Sequence, residues 1–310
     1  MKTLLTGYKA GDLTPELLKG DVTCHVLDLY HRHAIEKVFH GQVKALCSAH
    51  LPEGPWDLIR FRTGPKLMSG ELALDMLQEC VRAVGVENFK RKVVVDYVGK
   101  ERDRNDLIDK VKDRVDREFA AKWFASVPNG PKLEFTSYPG CFCHRRQDEG
   151  GLALAEVVTK DLQQSVNRLI GQSVNLLDMG SGCGLVGLLI KSVIPELRLT
   201  MVDSHTRAIE AAEENAKRFA MPAEIILADN GIPERLNGTF DVFVGNPPYY
   251  SDYRIAEVFL ETAQRALKKG GVCYTVCKNA EGLRPVQEKY FSKVEIIKRR
   301  GYAVLKSQVE

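Results

Sequence analysis

The sequence predicts an α/β protein built on parallel sheets, and three observations support that fold class. Short apolar segments that read as buried strands alternate with segments of helical periodicity. One strand is followed by a glycine-rich turn and the apolar helix Leu185–Val193. The strand and helix pattern also occurs twice, once in each half of the chain. Because ligands of open parallel sheets bind beyond the carboxyl ends of strands, functional residues are expected there.

The composition limits the class of protein. The chain has 310 residues, enough for two domains with separate cores, and a net charge of +3. Nucleic-acid binding would therefore depend on a local basic patch. No apolar run approaches the ~20 residues that span a bilayer, and Met1–Leu5 is followed by glycine and charges, not a signal-peptide core. With eight scattered cysteines and no C-x-x-C pair, the chain is expected to be cytoplasmic, with reduced thiols and no membrane partner.

The N-terminal half predicts a second copy of the fold found in the C-terminal half. The segments match in order and in type of element. The pairs are Thr3–Gly7 with Asn175–Asp178, Val26–Glu36 with Met201–Glu210, Trp56–Phe61 with Phe240–Gly245, Glu71–Val84 with Arg254–Leu267, and Val93–Val98 with Val272–Cys277. The copy is degenerate, because Thr6 stands in the place of Asp178 and Arg62–Pro65 in the place of Asn246–Tyr249. Chance similarity between two α/β segments is the alternative.

The segment between the halves predicts an amphipathic connecting helix, Glu101–Ala125. Apolar residues recur there at helical spacing. They are Leu107, Ile108, Val111, Val115, Phe119 and Trp123. Ser126–Pro131 then breaks the helix. The sequence therefore predicts a degenerate domain without a cofactor site at residues 1–130 and a catalytic domain at 131–310.

In the C-terminal half, three consecutive predicted strands each end in a carboxylate. The first ends in Asp178 before the turn Gly180-Ser181-Gly182-Cys183-Gly184, Leu197–Val202 ends in Asp203, and Glu224–Ala228 ends in Asp229, which Asn230 follows. Glycines let the backbone approach a ligand closely, and the Asp203 carboxylate can accept hydrogen bonds from two ribose hydroxyls. The pattern predicts a nucleoside-containing ligand at this edge.

The fourth strand, Phe240–Gly245, is followed by Asn246-Pro247-Pro248-Tyr249. The Asn246 side chain offers one acceptor and one donor. The prolines stiffen the turn and present carbonyl oxygens without N–H groups. Such a turn can accept both hydrogens of a planar NH2 group while Tyr249, and with it Tyr250, offers a face for stacking. A proline-rich loop that merely closes a strand is the alternative.

These residues resemble the class I S-adenosylmethionine-dependent methyltransferases, and within them the methyltransferase small domain type of the bacterial ribosomal RNA guanine-N2 enzymes. The resemblance extends from about Tyr138 to the C-terminus. Besides the two motifs above, it rests on Tyr138–Phe142, Asp148–Gly150, Val276–Asn279 and Tyr302–Lys306. Two features depart from it: the family usually has Phe at Tyr249, and Cys141 and Cys143 stand where Val and Ser are usual.

The resemblance implies a Rossmann-like sheet, S-adenosylmethionine as cofactor, and ribosomal RNA or a ribosomal subunit as partner in rRNA processing. The implied cofactor-binding residues are Asp178, Gly180, Ser181, Gly182, Gly184, Asp203, Ser204, Asp229, Asn230 and Asn246. The implied catalytic residues are Asn246, Pro247, Pro248 and Tyr249. The family also carries a cofactor-free N-terminal domain, in agreement with the degenerate copy.

Several alternatives remain open at this stage. Tyr249 is also usual in adenine-N6 and glutamine-N5 methyltransferases, although the latter would have a small helical N-terminal domain. Gly182–Gly187 satisfies the G-x-G-x-x-G pattern of NAD-dependent dehydrogenases, with Asp203 about twenty residues on. Against that class, Asp178 would point its charge into the turn that cradles a pyrophosphate. A non-catalytic RNA scaffold would not need Asp178, Asp203 and Asn246.

Basic residues give the candidate phosphate contacts. Arg60 and Arg62 lie in the N-terminal copy. Arg145 and Arg146 lie near the start of the catalytic domain, before the strand that leads into the glycine-rich turn. Each is equally interpretable as ordinary surface charge. Cys141-Phe142-Cys143-His144 suggests a metal site at first sight, but tetrahedral zinc needs a second ligand pair at suitable spacing. We therefore predict no metal.

Overall fold

The computed structural model describes residues 1–112, 118–166, 173–248 and 253–310. They form two compact units. Unit 1 contains Met1–Ala120, Tyr138–Cys141 and His205–Arg207, and unit 2 contains Ala121–Ser137, Phe142–Ser204 and Ala208–Glu310. Val115, Tyr249 and Tyr250, which the sequence analysis singled out, lie outside the described residues.

Unit 1 is built on a parallel sheet. Its strands are β1 (Lys2–Thr6), β2 (Asp21–Val26), β3 (Lys44–Cys47), β4 (Leu58–Thr63) and β5 (Val93–Tyr97), in the order β3-β2-β1-β4-β5. Its helices are α1 (Leu29–Val38), α2 (Gly70–Val84), α3 (Phe89–Lys92) and α4 (Glu101–Lys112). All four strand pairings are parallel.

The core of unit 1 follows from the periodicity of its elements. Alternate residues of β4 are buried, with Ile59 and Phe61 fully so. α2 contributes a stripe at helical spacing that includes Met76 and Leu77. The helix begins after Ser69, whose hydroxyl accepts a hydrogen bond from the Leu72 amide at 3.2 Å.

Unit 1 also contains a buried cation, Arg207, whose side chain is 2% exposed. The guanidinium donates to the carboxylates of Asp75 and Glu79, and to the backbone carbonyls of Ala49 at 3.0 Å and Pro139 at 3.3 Å. A buried charge is tolerated only when it is paired and hydrogen-bonded. These four acceptors meet that condition.

Unit 2 is built on a larger, mixed sheet. Its strands are β6 (Ala121–Ala125), β7 (Leu133–Ser137), β8 (Asn175–Met179), β9 (Arg198–Asp203), β10 (Ala223–Leu227), β11 (Phe240–Gly245), β12 (Leu267–Cys277), β13 (Glu295–Arg299) and β14 (Tyr302–Gln308). Its helices are α5 (Glu149–Val166), α6 (Leu185–Val193), α7 (Thr206–Arg218), α8 (Arg254–Ala266) and α9 (Ala280–Gln287). The seven-stranded sheet has the order β10-β9-β8-β11-β12-β14-β13, while β6 and β7 form a separate antiparallel pair.

The α/β fold class is confirmed, and several elements lie where the sequence predicts them. α6 and β11 have the predicted bounds, because both are mainly apolar segments with glycine at one end. The C-terminal strands β13 and β14 form a hairpin, and β14 pairs antiparallel with both β13 and β12.

The predicted helix Glu101–Ala125 is wrong in its second part. Helix α4 covers Glu101–Lys112, whereas Ala121–Ala125 is a strand that pairs with β7. Trp123 stacks on Phe135 with the ring centroids 5.3 Å apart. This cross-strand contact gives the Trp123 ring an apolar partner. The helical spacing had instead assigned Trp123 to the apolar face of the connecting helix.

The two sheets share a strand order. Numbered along the chain, the first five strands of the unit 2 sheet lie in the order 3-2-1-4-5, and so do the five strands of unit 1. In both, the first strand lies at the centre, between the second and the fourth. This order agrees with an internal duplication, which remains our interpretation.

Candidate functional site

The site is built around the turn between β8 and α6. Gly180, Gly182 and Gly184 have φ values of 68°, 56° and 84°, a region that side chains with a Cβ rarely adopt. The amides of Gly180 and Ser181 donate to the Val202 carbonyl at 2.8 and 3.1 Å. The turn is thereby fixed against the carboxyl end of β9.

Two of the predicted carboxylates hold this turn. The Asp203 Oδ2 atom accepts from the Gly182 amide at 2.9 Å. The Asp178 Oδ2 atom accepts from the Gly187 amide in α6, also at 2.9 Å. Asp178 is 1% exposed, so a carboxyl group is buried beneath the turn.

The electrostatics of the site favour a positively charged ligand. Burial raises the pKa of Asp178 to about 7, repulsion by Asp203 and Asp148 adds to the shift, and the Gly187 hydrogen bond opposes it. Burial also raises the pKa of Asp148. A cation at this edge would lower both pKa values, because it stabilises the charged form of each carboxyl group.

Asn246 lies at the carboxyl end of β11, next to β8 in the sheet. Its Nδ2 atom donates to Asp148 Oδ2 at 2.8 Å. Pro247 is buried and Pro248 is half-buried. Tyr249 lies outside the described residues, so its stacking role remains a prediction.

Asp148 is a site residue that the sequence analysis missed. It immediately precedes α5, and its Oδ1 atom accepts from the Gly150 amide at 3.0 Å. The signal available in the sequence was an aspartate before a helix, followed by Glu149 and two glycines, which is an N-cap pattern. That pattern predicts the cap but not the contact with Asn246.

The remaining predicted cofactor residues lie at the same edge of the sheet. Ser181 is buried, and its hydroxyl has no hydrogen-bond partner among the described residues. Ser204 follows β9 directly. Asp229 and Asn230 follow β10, the first half-buried and the second exposed. The carboxyl ends of β8, β9, β10 and β11 thus bring the predicted residues to one edge, since these strands are parallel.

The four predicted arginine contacts fall into two groups. In unit 1, Arg60 makes a bidentate pair with Asp96, at 2.9 and 2.8 Å, and Arg62 pairs with Asp12 at 2.8 Å. In unit 2, Arg145 and Arg146 are exposed on the loop before α5. Contact with RNA remains a prediction for all four.

Within the described ranges, no cluster of three or more His, Cys, Asp or Glu side chains is arranged to hold a metal ion. The same part of the chain contains no helix that is both long and apolar enough to span a membrane.

Comparison with known proteins places these features in a family. The family model described as "Methyltransferase small domain" matches residues 132–306. The ribosomal RNA small subunit methyltransferase C of Haemophilus ducreyi is 31% identical over 143 residues, 45% of this chain and 40% of that protein. The protein of the same description from Pseudomonas paraeruginosa is 30% identical over 165 residues, 51% of this chain and 46% of its own length. The chain therefore spans about half the length of the curated relatives it matches.

A solved structure is similar over the whole chain. It is the T. thermophilus 16S rRNA N2 G1207 methyltransferase (RsmC) in complex with AdoMet and guanosine. The TM-score is 0.77 at 18% identity, and the match covers 100% of this chain and 88% of that one. The likeness confirms the Rossmann-like fold that the sequence resemblance implies.

Proposed function

The chain belongs to the methyltransferase small domain family, and from that membership we propose that it is an S-adenosylmethionine-dependent methyltransferase. Its proposed acceptor is the N2 amino group of guanine in ribosomal RNA. The observation that carries the proposal is the position of Asn246, which bonds to Asp148, at the same sheet edge as a glycine turn held by Asp178 and Asp203.

The residues present fit S-adenosylmethionine. The Ser181 hydroxyl is buried without a partner among the described residues, and a Cβ built on Gly182 would meet nothing within 4 Å. The turn therefore leaves space and an unsatisfied polar group at the edge of the sheet. Asp203 would accept hydrogen bonds from the ribose hydroxyls, and the negative charge of Asp178 and Asp148 complements the ammonium and sulfonium groups. When bound, the cofactor supplies an electrophilic methyl group.

The chain's own part in the reaction is to position the acceptor. The Asn246 side-chain oxygen and the Pro247 carbonyl would accept the two hydrogens of the amino group, which turns the nitrogen lone pair out of conjugation with the ring. Transfer then depends mainly on alignment, with reacting atoms about 3–3.5 Å apart. Water takes the proton, so we assign no general base. Tyr249 is proposed to stack on the base, at about 1–3 kcal/mol.

Three observations support ribosomal RNA and guanine as the acceptor. The matched relatives are described as ribosomal RNA small subunit methyltransferases. The solved structure with the same fold holds AdoMet and guanosine. Arg145 and Arg146 are exposed on the loop before α5, where they can contact phosphate. A base must be single-stranded or flipped out to reach such a site, and we place the reaction in the cytoplasm with its RNA.

We also propose a division of labour between residues 131–310, which bind cofactor, and residues 1–130, which bind or orient RNA. In unit 1, Arg60 and Arg62 are paired with Asp96 and Asp12. For these two arginines to bind RNA, a phosphate group would have to displace the carboxylates or contact the guanidinium groups together with them. Salt dependence of RNA affinity in the four single arginine-to-methionine variants measures each contribution.

The experiment is incubation of the full chain with methyl-labelled cofactor and one of four acceptors, followed by digestion. The acceptors are naked ribosomal RNA, assembled small subunits, transfer RNA and a peptide-release factor. We expect the label in N2-methylguanosine from ribosomal RNA or the subunit. Label in N6-methyladenosine or in protein, with none in N2-methylguanosine, would contradict the proposed acceptor.

A further inference from the structure

We propose that Asp148 is a positioning residue that fixes the orientation of the Asn246 carboxamide, so that its oxygen is presented to the acceptor amino group. The inference rests on the proposed function and adds a residue to the same site. Asp148 acts through Asn246 and has no contact with the acceptor.

The Asp148 carboxylate distinguishes the two ends of the Asn246 amide. The two corners of an asparagine amide differ, because the nitrogen only donates and the oxygen only accepts. The Asp148 carboxylate only accepts, and Asn246 Nδ2 lies 2.8 Å from its Oδ2 atom. The opposite orientation would bring two acceptor oxygens together. The carboxylate therefore selects the orientation in which Oδ1 lies at the other corner of the amide.

The Asp148 side chain is itself held in place. Its Oδ1 atom accepts from the Gly150 amide at 3.0 Å, and the Gly151 amide bonds to the same side chain. Its backbone carbonyl accepts from the Leu152 amide at 2.9 Å. All these contacts lie at the first turn of α5, where the helix dipole also favours a carboxylate.

The two glycines after Glu149 are explained by the same arrangement. A Cβ on Gly151 would lie 2.6 Å from Asp148 Oδ2, the atom that bonds Asn246. A Cβ on Gly150 would lie 3.1 Å from the Tyr302 ring. Side chains at these positions would push Asp148 away from Asn246 or crowd β14.

Several titratable groups surround Asp148. Asp178 on β8, Cys143 on the loop before α5, Tyr302 on β14 and the neighbouring Glu149 all interact with it electrostatically. Burial raises the pKa of Asp148 above its usual value. A protonated Asp148 can donate to the amide oxygen, so the preferred orientation of Asn246 is lost as the pH falls through that pKa. An acid limb in kcat is the expected signature.

Asp148→Ser separates capping from positioning. Serine caps helices as well as aspartate does, but its side chain is too short to hold Gly150 and Asn246 at once. We expect kcat for RNA methylation to fall about 10- to 100-fold, the loss of one charge-assisted hydrogen bond. The melting temperature should stay near that of the wild type, and the cofactor dissociation constant should change far less than kcat, because the Asp148 side chain bonds to Asn246 and to the start of α5. Glu149→Gln is the matched control, because Glu149 pairs with Arg300 at 2.8 Å instead, and its kcat should not change.

Exchange of the two side chains provides a rescue. In Asp148→Asn, one side-chain atom must donate, so residue 148 can no longer accept from both Gly150 and Asn246. Combining it with Asn246→Asp restores the hydrogen bond in the reverse direction, because the amide at position 148 then donates to the carboxylate at position 246. The second oxygen of that carboxylate can still accept a hydrogen bond from the acceptor amino group. We expect kcat to recover at least tenfold over Asp148→Asn alone.

Two results would overturn the inference. One is Asp148→Ser with wild-type kcat and an unchanged acid limb. The other is an exchange variant no faster than Asp148→Asn, with melting temperature and cofactor affinity lowered in parallel, which would identify Asp148 as a helix cap only. Failure of the proposed function is distinct from both, because the wild-type chain itself would then leave N2-methylguanosine unlabelled.

Discussion

The five strands of the unit 1 sheet and the first five strands of the unit 2 sheet have the same order but opposite charge arrangements. In unit 1, Arg60 is paired with Asp96, which also accepts from the Tyr8 hydroxyl, and Arg62 is paired with Asp12. In unit 2, Asp178 and Asp203 accept from backbone amides, and burial raises the pKa of Asp178.

Strand order alone therefore does not determine which charged residues a sheet carries. Where Asp178 lies in unit 2, unit 1 has Thr6, whose hydroxyl is 3.0 Å from His25 Nδ1. In unit 1, Arg60 and Arg62 meet their counterions within the protein. The negative charges at the edge of unit 2 instead favour a cation from outside. A series of variants, taken from the largest expected effect to the smallest, tests this contrast.

Arg207→Met should cause the largest loss of stability. Removing one partner of a buried ion pair leaves uncompensated charge on Asp75 and Glu79, which costs about 3–5 kcal/mol. Urea unfolding monitored by circular dichroism measures it. Arg32→Met removes an exposed pair with Glu36 in the same unit and should cost about 0.3–0.5 kcal/mol. Equal losses in the two variants would mean that burial does not determine how much these ion pairs contribute to the free energy of unfolding.

Asn246→Ala should reduce turnover by about 10²–10³-fold, the scale seen when one preorganised hydrogen-bonding group is removed from an active site. Cofactor affinity should stay nearly unchanged, because the role proposed for Asn246 is to hold the acceptor. Single-turnover rates and calorimetric dissociation constants separate the two effects. Thr63→Val, at the corresponding end of β4 in unit 1, is the control and should leave the rate as it is. A variant of Asn246 that keeps most of its rate would refute the assigned role.

Asp203→Ala should weaken cofactor binding by about 1–3 kcal/mol, because the ribose hydroxyls lose a charged acceptor. Its counterpart in unit 1, Asp28, caps α1 by accepting from the Tyr30 amide at 2.9 Å. Asp28→Ala should therefore lower stability by about 1 kcal/mol and leave cofactor binding alone. Calorimetry on both variants decides the matter, and a weaker cofactor complex in Asp28→Ala would break the contrast between the units.

Separated halves sharpen the contrast further. Residues 131–310 should bind S-adenosylmethionine, whereas residues 1–130 should not, since the turn and its carboxylates occur in the second half alone. Calorimetry on the two fragments, with the full chain as reference, measures this. Binding by the first fragment would end the interpretation of unit 1 as a degenerate copy.

The pH dependence of stability and of cofactor affinity gives a further test. The pKa of Asp178 is raised to about 7 in the folded chain, so between about pH 4 and 7 the folded state holds a proton that the unfolded state has lost. Stability without cofactor should therefore fall as the pH rises across that window and level off above it. A cationic ligand favours the ionised carboxyl group, so cofactor affinity should rise with pH, at most tenfold per pH unit below 7. Asp178→Asn should flatten both curves in calorimetry and unfolding.

The sequence predicts those parts of the fold and site that depend on local patterns. α6, β11 and the turn at Gly180–Gly184 follow from apolar runs and glycine spacing. The segment from Ala121 to Ala125 does not, because Trp123 fits helical spacing and only its distant partner, Phe135, makes it a strand residue.

Contacts between distant residues account for the rest. Asp148 and Asn246 are 98 positions apart, and no local pattern joins them. Likewise, Arg60 resembles a surface residue until Asp96, 36 positions later, is seen to bind it. Pairing across the sheet edge is a property of the folded chain, which residue type and spacing do not specify.

The position of β14 has a consequence for synthesis on the ribosome. Although it is made after both of them, β14 lies between β12 and β13 in the sheet. The five strands of unit 1 end at Tyr97, so they emerge long before the sheet of unit 2 can close. Until Tyr302–Gln308 leave the exit tunnel, β12 lacks a neighbour on one side and Tyr302 is not yet beside Gly150. Nascent chains thus pass through a stage in which one sheet is complete while the other exposes an unpaired edge, the kind of surface that chaperones protect.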